Sequence, residues 1–189
     1  MSAQITLRHA GPDDWPAVAA IHAASWRSAY RGIYSDAYLD GEAPEERRAF
    51  WRATLAEMDP ELDAVFLAEE AGEAVGFACL RREAEAAGPL LDNLHVLPER
   101  KGEGIGRRLL GAAAGWLVAK DPEAALQLGV WKDNVEARLF YARLGGREVE
   151  ETILATEGGG SAPQILVRWE RAADLAESRE DQVESSPRT

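Results

Sequence analysis

The sequence predicts an α/β (α+β) domain built on a mixed central sheet with helices on both faces. Three observations lead there. The hydrophobic period changes from helical to alternating at about Ala64. A strand then runs through a glycine-rich loop directly into a helix over residues 90–120. The segments that follow (strand, helix, strand, strand) put sheet on either side of that helix.

Residues 4–8 form a short strand-like run, and Gly11-Pro12-Asp13-Asp14 turns the chain and caps a helix, with Pro16 suited to its first turn. Val18, Ile21 and Ser25 recur at helical spacing up to about Tyr30, where Arg31-Gly32 interrupts. A second helix is expected over 44–57, with Phe50, Trp51 and Leu55 as its buried stripe. Residues 65–68 and 74–80 flank the turn Glu70-Ala71-Gly72-Glu73 as a hairpin. Leu90–Val96 is the next strand, bounded by Gly88-Pro89 and Pro98, and a helix follows from about Ile105 to Lys120. Leu126, Leu128 and Val130 alternate in a further strand, and 134–144 is a helix closed by Gly145-Gly146. Two last strands, 149–155 and 164–169, lie across Gly158-Gly159-Gly160-Ser161. Residues 1–171 are expected to form one domain, and the polar stretch 172–189, without aromatics, a disordered tail.

At 189 residues, 46% hydrophobic and 29% charged, the chain has the size and composition of one soluble domain. Its net charge of −12 argues against nucleic acid as a partner, because phosphate contacts need clustered Lys and Arg. The same charge mildly favours a cationic substrate. No apolar run has the roughly 18–20 residues of a membrane helix. The start, Met1-Ser2-Ala3-Gln4, lacks the basic and apolar regions of a signal peptide. The single cysteine, Cys79, offers neither a disulfide nor metal-ligand spacing. The expectation is a cytoplasmic protein with no membrane partner and no metal.

The strongest chemical signal is Leu94-His95-Val96-Leu97-Pro98-Glu99-Arg100-Lys101-Gly102-Glu103-Gly104-Ile105-Gly106-Arg107. Glycines let a backbone turn tightly and approach a ligand. The helix that follows presents unpaired N–H groups and a positive dipole end, which suit phosphate. A Walker-type loop is excluded, since no Lys-Ser/Thr follows Gly106. A dinucleotide fingerprint needs Gly-x-Gly-x-x-Gly, whereas the order here is Gly-x-Gly-x-Gly. From the glycines alone a plain tight turn remains open.

The wider string, Leu94-x-Val96, Pro98-Glu99, then Lys101-x-x-Gly104-x-Gly106 entering a helix, resembles the acetyl-CoA-binding motif of the GNAT superfamily of N-acetyltransferases. A second block, Asn134-Val135-Glu136-Ala137-Arg138-Leu139-Phe140-Tyr141 through to Gly145, is similar to that family's Asn-x-x-Ala-x-x-Phe-Tyr-x-x-x-Gly helix. The resemblance spans roughly residues 4–169. Two departures stand out. Lys101 replaces the usual Gln or Arg, which keeps a cation but loses the planar fork. Gly146 stands where the family often has an aromatic.

The resemblance implies a mostly antiparallel sheet of six to seven strands, split between the fourth and fifth, and acetyl-CoA as co-substrate. The main chain of Leu94 and Val96 would pair with pantetheine, and the Val96 N–H would serve as an oxyanion donor. The backbone of Gly102, Glu103, Gly104, Ile105, Gly106 and Arg107, with Lys101, would hold the pyrophosphate. Asn134 is read both as an N-cap and as a pantetheine contact. Tyr141, two turns on and on the same helix side, is either the acid for the leaving thiolate or a packing tyrosine. Leu90 cannot act as a base, which leaves Asp92, on the face shared by Leu90 and Leu94, as that candidate. His95 points to the other face as a structural residue, and His22 and His9 have no visible partner. Trp26, Tyr30 and Tyr34 are candidates to box an amine by cation–π contact, or else core. The implied activity is acetyl transfer to a primary amine on a small molecule, amino acid or protein, by direct attack in a ternary complex. The rival is a non-catalytic acyl-CoA-binding module. Homodimers are common among relatives.

Overall fold

Each alternating segment of the sequence becomes a strand: β1 (Ile5–His9), β2 (Asp63–Glu70), β3 (Glu73–Arg81), β4 (Leu90–Val96), β5 (Leu126–Trp131), β6 (Arg147–Ala155) and β7 (Ser161–Trp169). In a computed structural model, which describes residues 4–82 and 88–177, they form one sheet in the order β1-β2-β3-β4-β5-β7-β6. All neighbours are antiparallel except β4 and β5. The helices are α1 (Trp15–Ala29), α2 (Asp36–Asp40), α3 (Ala43–Glu57), α4 (Ile105–Lys120), α5 (Val135–Arg143) and α6 (Ala173–Glu177). Among the described residues no helix is long and apolar enough to cross a membrane.

The two faces of the sheet bury different stripes. Ile105, Leu109, Leu110 and Leu117 of α4 pack against Ala78, Leu80, Leu126 and Val167. On the other face Val18, Ile21, Trp51 and Leu55 of α1 and α3 cover Val65, Leu67, Phe77 and Cys79. Period 3.6 in the helices and period 2 in the strands account for both sets.

Two features position the site. The β4–β5 pair is confined to Leu90↔Gln127, so beyond that point the parallel strands diverge. In addition, β4 carries a bulge: Cys79 pairs with Asn93 and Leu80 with Leu91, leaving Asp92 as the extra residue. The bulge resets the alternation. Leu91 and Leu94 face the α4 side with their partners Leu80 and Ala78, while Asn93 and His95 share the α1/α3 side with Cys79 and Phe77. The strict alternation that grouped Leu90, Asp92 and Leu94 therefore does not hold across Asp92.

Three departures from the sequence reading have physical causes. Helix α2 is short, capped by Ser35, whose Oγ accepts from the Tyr38 N–H at 3.3 Å, and Arg31 bridges Asp36 and Asp40 across it. The expected tail from 172 begins instead with α6, because Ala172, Ala173 and Leu175 bury against α4 and the Ala172 N–H donates to the Ala124 carbonyl at 2.8 Å. The rest of that tail, 178–189, lies outside the described residues. At Gly146 the missing aromatic is supplied from β7. A Cβ there would meet the Trp169 ring and Val167 at 2.7 Å, and the Trp169 indole N–H is anchored to the Leu144 carbonyl at 2.8 Å.

Candidate active site

The divergence of β4 and β5 opens a cavity of about 480 Å³ between them. Leu97 donates its N–H to Val75 on β3, so strand alternation turns the main-chain groups of Val96 and Leu94 away from β3 and toward the gap. At the top of the gap the glycine loop enters α4. Gly102 and Gly104 take φ of +82° and +77°, where a side chain is strained, and a Cβ at either would meet nothing within 4 Å. The Gly106 Cβ position lies 3.5 Å from the Phe140 ring. The result is an open loop at a helix N-terminus, where unpaired amides and the helix dipole suit phosphate groups. The residues present fit the pyrophosphate and pantetheine arm of a coenzyme A.

Side chains around the cradle divide unevenly. Lys101 pairs with Glu136 at 2.9 Å at the cavity wall. Glu103 is turned onto Arg100, which also holds Glu70, so Glu103 does not line the cavity and only its main chain is available there. Ile105 is buried core, Arg107 lines the cavity, and Arg108 is drawn away to the Ile5 carbonyl at 2.8 Å. Asn134 caps α5 by accepting from the Ala137 N–H at 3.3 Å and also lines the cavity. Tyr141 stands on the same side of α5, its ring 8% exposed between Phe140 and Trp169. Burial holds its phenol pKa above the ordinary tyrosine value, so it keeps its proton at neutral pH.

The sequence profile of the acetyltransferase (GNAT) family matches residues 13–146. The chain belongs to the GNAT family. A 5-NmdU N-acetyltransferase of Pseudomonas phage PaMx11 is 33% identical over 105 residues, covering 56% of this chain and 69% of that one. An uncharacterized N-acetyltransferase of Archaeoglobus fulgidus is 30% identical over 164 residues, 84% of this chain and 99% of its own length. Among solved structures, the PaiA N-acetyltransferase of Thermoplasma acidophilum in complex with coenzyme A superposes with a TM-score of 0.67 at 21% identity, covering 87% of this chain and 98% of that one. This GNAT protein is an N-acetyltransferase with acetyl-CoA as its acetyl donor.

Behind the coenzyme cleft of this GNAT acetyltransferase a second cavity, of about 490 Å³, borders the first at Tyr30, Asp92, Asn93, His95 and Gly129. Trp26, Tyr30 and Tyr34 line it, as the sequence grouped them, with successive ring centroids 5.7 Å and 5.2 Å apart. The face of Trp26, however, already carries a cation. The Arg47 guanidinium lies 4.5 Å from its centroid and 5.0 Å from that of Phe50. An acceptor ammonium at Trp26 would meet like charge, so the expected amine box is not what this end of the cavity offers.

Asp92 sits at the border of the two cavities, held by the Asn93 amide at 3.0 Å and Arg81 at 3.4 Å. His95, read from the sequence as structural, and His22, read there as having no visible partner, meet in the fold. Ser25 Oγ lies 2.9 Å from His95 Nδ1, the two imidazoles stack at 4.4 Å, and the Trp51 indole N–H donates to His22 Nδ1 at 2.8 Å. Burial, reinforced by Lys101 and Arg47, pushes His95 down to about 3, and burial with His95 and Arg47 pushes His22 well below its ordinary value. Both rings are therefore neutral in the fold, whereas in the unfolded chain they titrate near 6.5. The unfolded state takes up more protons below that pH, so the stability they contribute is complete above about pH 6.5 and drains as pH falls toward the folded values. Unfolding free energies from urea titrations at pH 7, 6 and 5 should fall with a limiting slope of about 1.4 kcal/mol per pH unit for each histidine. His95→Asn should remove one proton's share of that slope. An unchanged slope would mean that His95 takes up protons alike in the folded and the unfolded chain.

Proposed function

We propose that the protein acetylates a primary amine by direct attack in a ternary complex. The observation that carries this is the junction of the two cavities at Tyr30, Asp92, Asn93, His95 and Gly129, which lets an acceptor in one reach a donor in the other. Acetyl-CoA supplies an activated thioester acyl group. Main-chain groups of Leu94 and Val96 bind and orient the arm along β4, and the Val96 N–H is positioned as a rigid donor to the carbonyl oxygen. Amides from Gly102 to Arg107 hold the pyrophosphate, with Lys101 as a point charge and Asn134 alongside the arm. Tyr141 keeps its proton at Oη and passes it to the departing sulfur. Asp92, directly or through water, takes the proton that the attacking nitrogen releases. His95, with Nδ1 2.9 Å from Ser25 Oγ and its ring stacked on His22, is read as a structural residue.

The test is release of CoA thiol from the full chain with amino acids, polyamines, aminoglycosides and peptides as acceptors, alongside calorimetric binding of acetyl-CoA to wild type and Gly104→Val. Turnover with a primary amine and at least tenfold weaker coenzyme binding by the variant are expected, because a β-branched residue at positive φ is an outlier that disturbs the cradle. Tight coenzyme binding with no acceptor turning over would defeat the reading.

A further inference from the structure

The acceptor cavity is lined by charged and polar side chains, two of which hold a buried atom without a partner. Two buried side-chain atoms among the described residues have no hydrogen-bond partner, His22 Nε2 and Arg47 Nε, and both belong to residues lining this cavity. Both are donors. Tryptophan N–H can only donate, so His22 Nδ1 accepts from Trp51 and the neutral ring carries its proton on Nε2. Arg47 is 9% exposed, and a guanidinium is never deprotonated in a protein. Its nearest carboxylate, Glu157, is half exposed and stands 4.0 Å from Nη2, beyond hydrogen-bond range. The Trp26 and Phe50 rings lie against it. A cation held this deep without a hydrogen-bonded anion is expensive unless a ligand completes it.

We propose that the acceptor is a small amino acid whose carboxylate is bound by Arg47, with its amino group directed to the Asp92 side of the cavity. This rests on the acetyl-transfer reading and narrows its substrate class. Planar guanidinium and carboxylate match in a two-point contact, which a carboxamide reproduces poorly. The Trp26 and Phe50 faces hold the guanidinium plane in place. At the other end of the cavity Asp92, which Arg81 holds at 3.4 Å, is the carboxylate beside the coenzyme cleft and the anion available to an amino group there. A cavity of about 490 Å³ has room for such a molecule.

The experiment pairs each of the common amino acids with its carboxamide as acceptor in the thiol-release assay, using the full chain as wild type, Arg47→Lys and Arg47→Met. Binding of the same pairs to the CoA-loaded protein is followed by tryptophan fluorescence. For at least one pair, wild type should prefer the acid by tenfold or more in kcat/KM and in affinity. Arg47→Lys should keep part of that preference, and Arg47→Met should reduce it to within about twofold with acetyl-CoA affinity unchanged. Amides used as well as acids, polyamines preferred to both, or an undiminished preference in Arg47→Met would overturn the carboxylate site. If no amine turns over, the acetyl-transfer reading falls, and the fluorescence arm still decides: acids bound over amides through Arg47 uphold the site, and equal or absent binding refutes it.

Discussion

Tyr141→Phe should lower kcat by about a hundredfold or more, the usual share of a positioned general acid. The phenylalanine ring preserves what the structure shows of packing: centroid contacts of 5.2 Å to Phe140 and 6.0 Å to Trp169. Melting temperature and acetyl-CoA affinity should therefore stay near wild type, and the loss should appear in kcat rather than KM. Burial raises the phenol pKa, so the acid form persists upward from neutral pH. The alkaline side of the wild-type kcat profile should show no fall from this group below about pH 10. A variant within threefold of wild-type kcat would mean that solvent protonates the leaving sulfur and that Tyr141 only packs.

The second large effect is on stability. Trp51 is fully buried, meets Phe77 and Phe50 edge-on at 5.1 Å, and gives its N–H to His22. Trp51→Ala should cost about 3–5 kcal/mol from cavity formation. It also strips His22 Nδ1 of its donor in a ring whose Nε2 is already unpartnered. Against a typical total of about 5–15 kcal/mol, that is a large part of the margin. Trp51→Phe separates the two contributions, keeping an aromatic while losing the hydrogen bond. Urea unfolding measures both, and a loss below about 1.5 kcal/mol for the alanine variant would show that α1 and α3 close over the gap. Because His22 stacks on His95 at the cavity wall, the acceptor KM should rise in Trp51→Phe as well.

What the sequence disclosed and what it hid differ by the range of the forces involved. Periodicity located every strand and the three longest helices, and the order of glycines with the α5 block pointed to the family. The position of the bulge at Asp92 was out of reach because it depends on how β3 and β4 register, yet it breaks the alternation that grouped Asp92 with Leu94. Helix α2 is one short turn-and-a-half whose Ser35 cap passed unread, whereas α6 depends on burial against α4 and has no strong local signature. Trp169 filling the space at Gly146 joins residues far apart in the chain. Arg47, by contrast, was legible. It lies one turn before Trp51 and two before Leu55, so the buried stripe of α3 carries a charge at its start. A cation on an apolar face asks for a partner, and that signal went unread among the aromatics beside it.

Among the described residues, β1–β4 and β5–β7 pair in the plane of the sheet at Leu90↔Gln127 alone. An extended ligand that spans this seam binds the folded chain and not the unfolded one. Folding and coenzyme supply thereby become linked quantities. At a free concentration one hundred times its Kd, such a ligand adds about 2.7 kcal/mol to the folded state. On the binding mode proposed above the donor is also a removable part of the scaffold, and the survival of the chain against heat or protease becomes a readout of how much donor surrounds it.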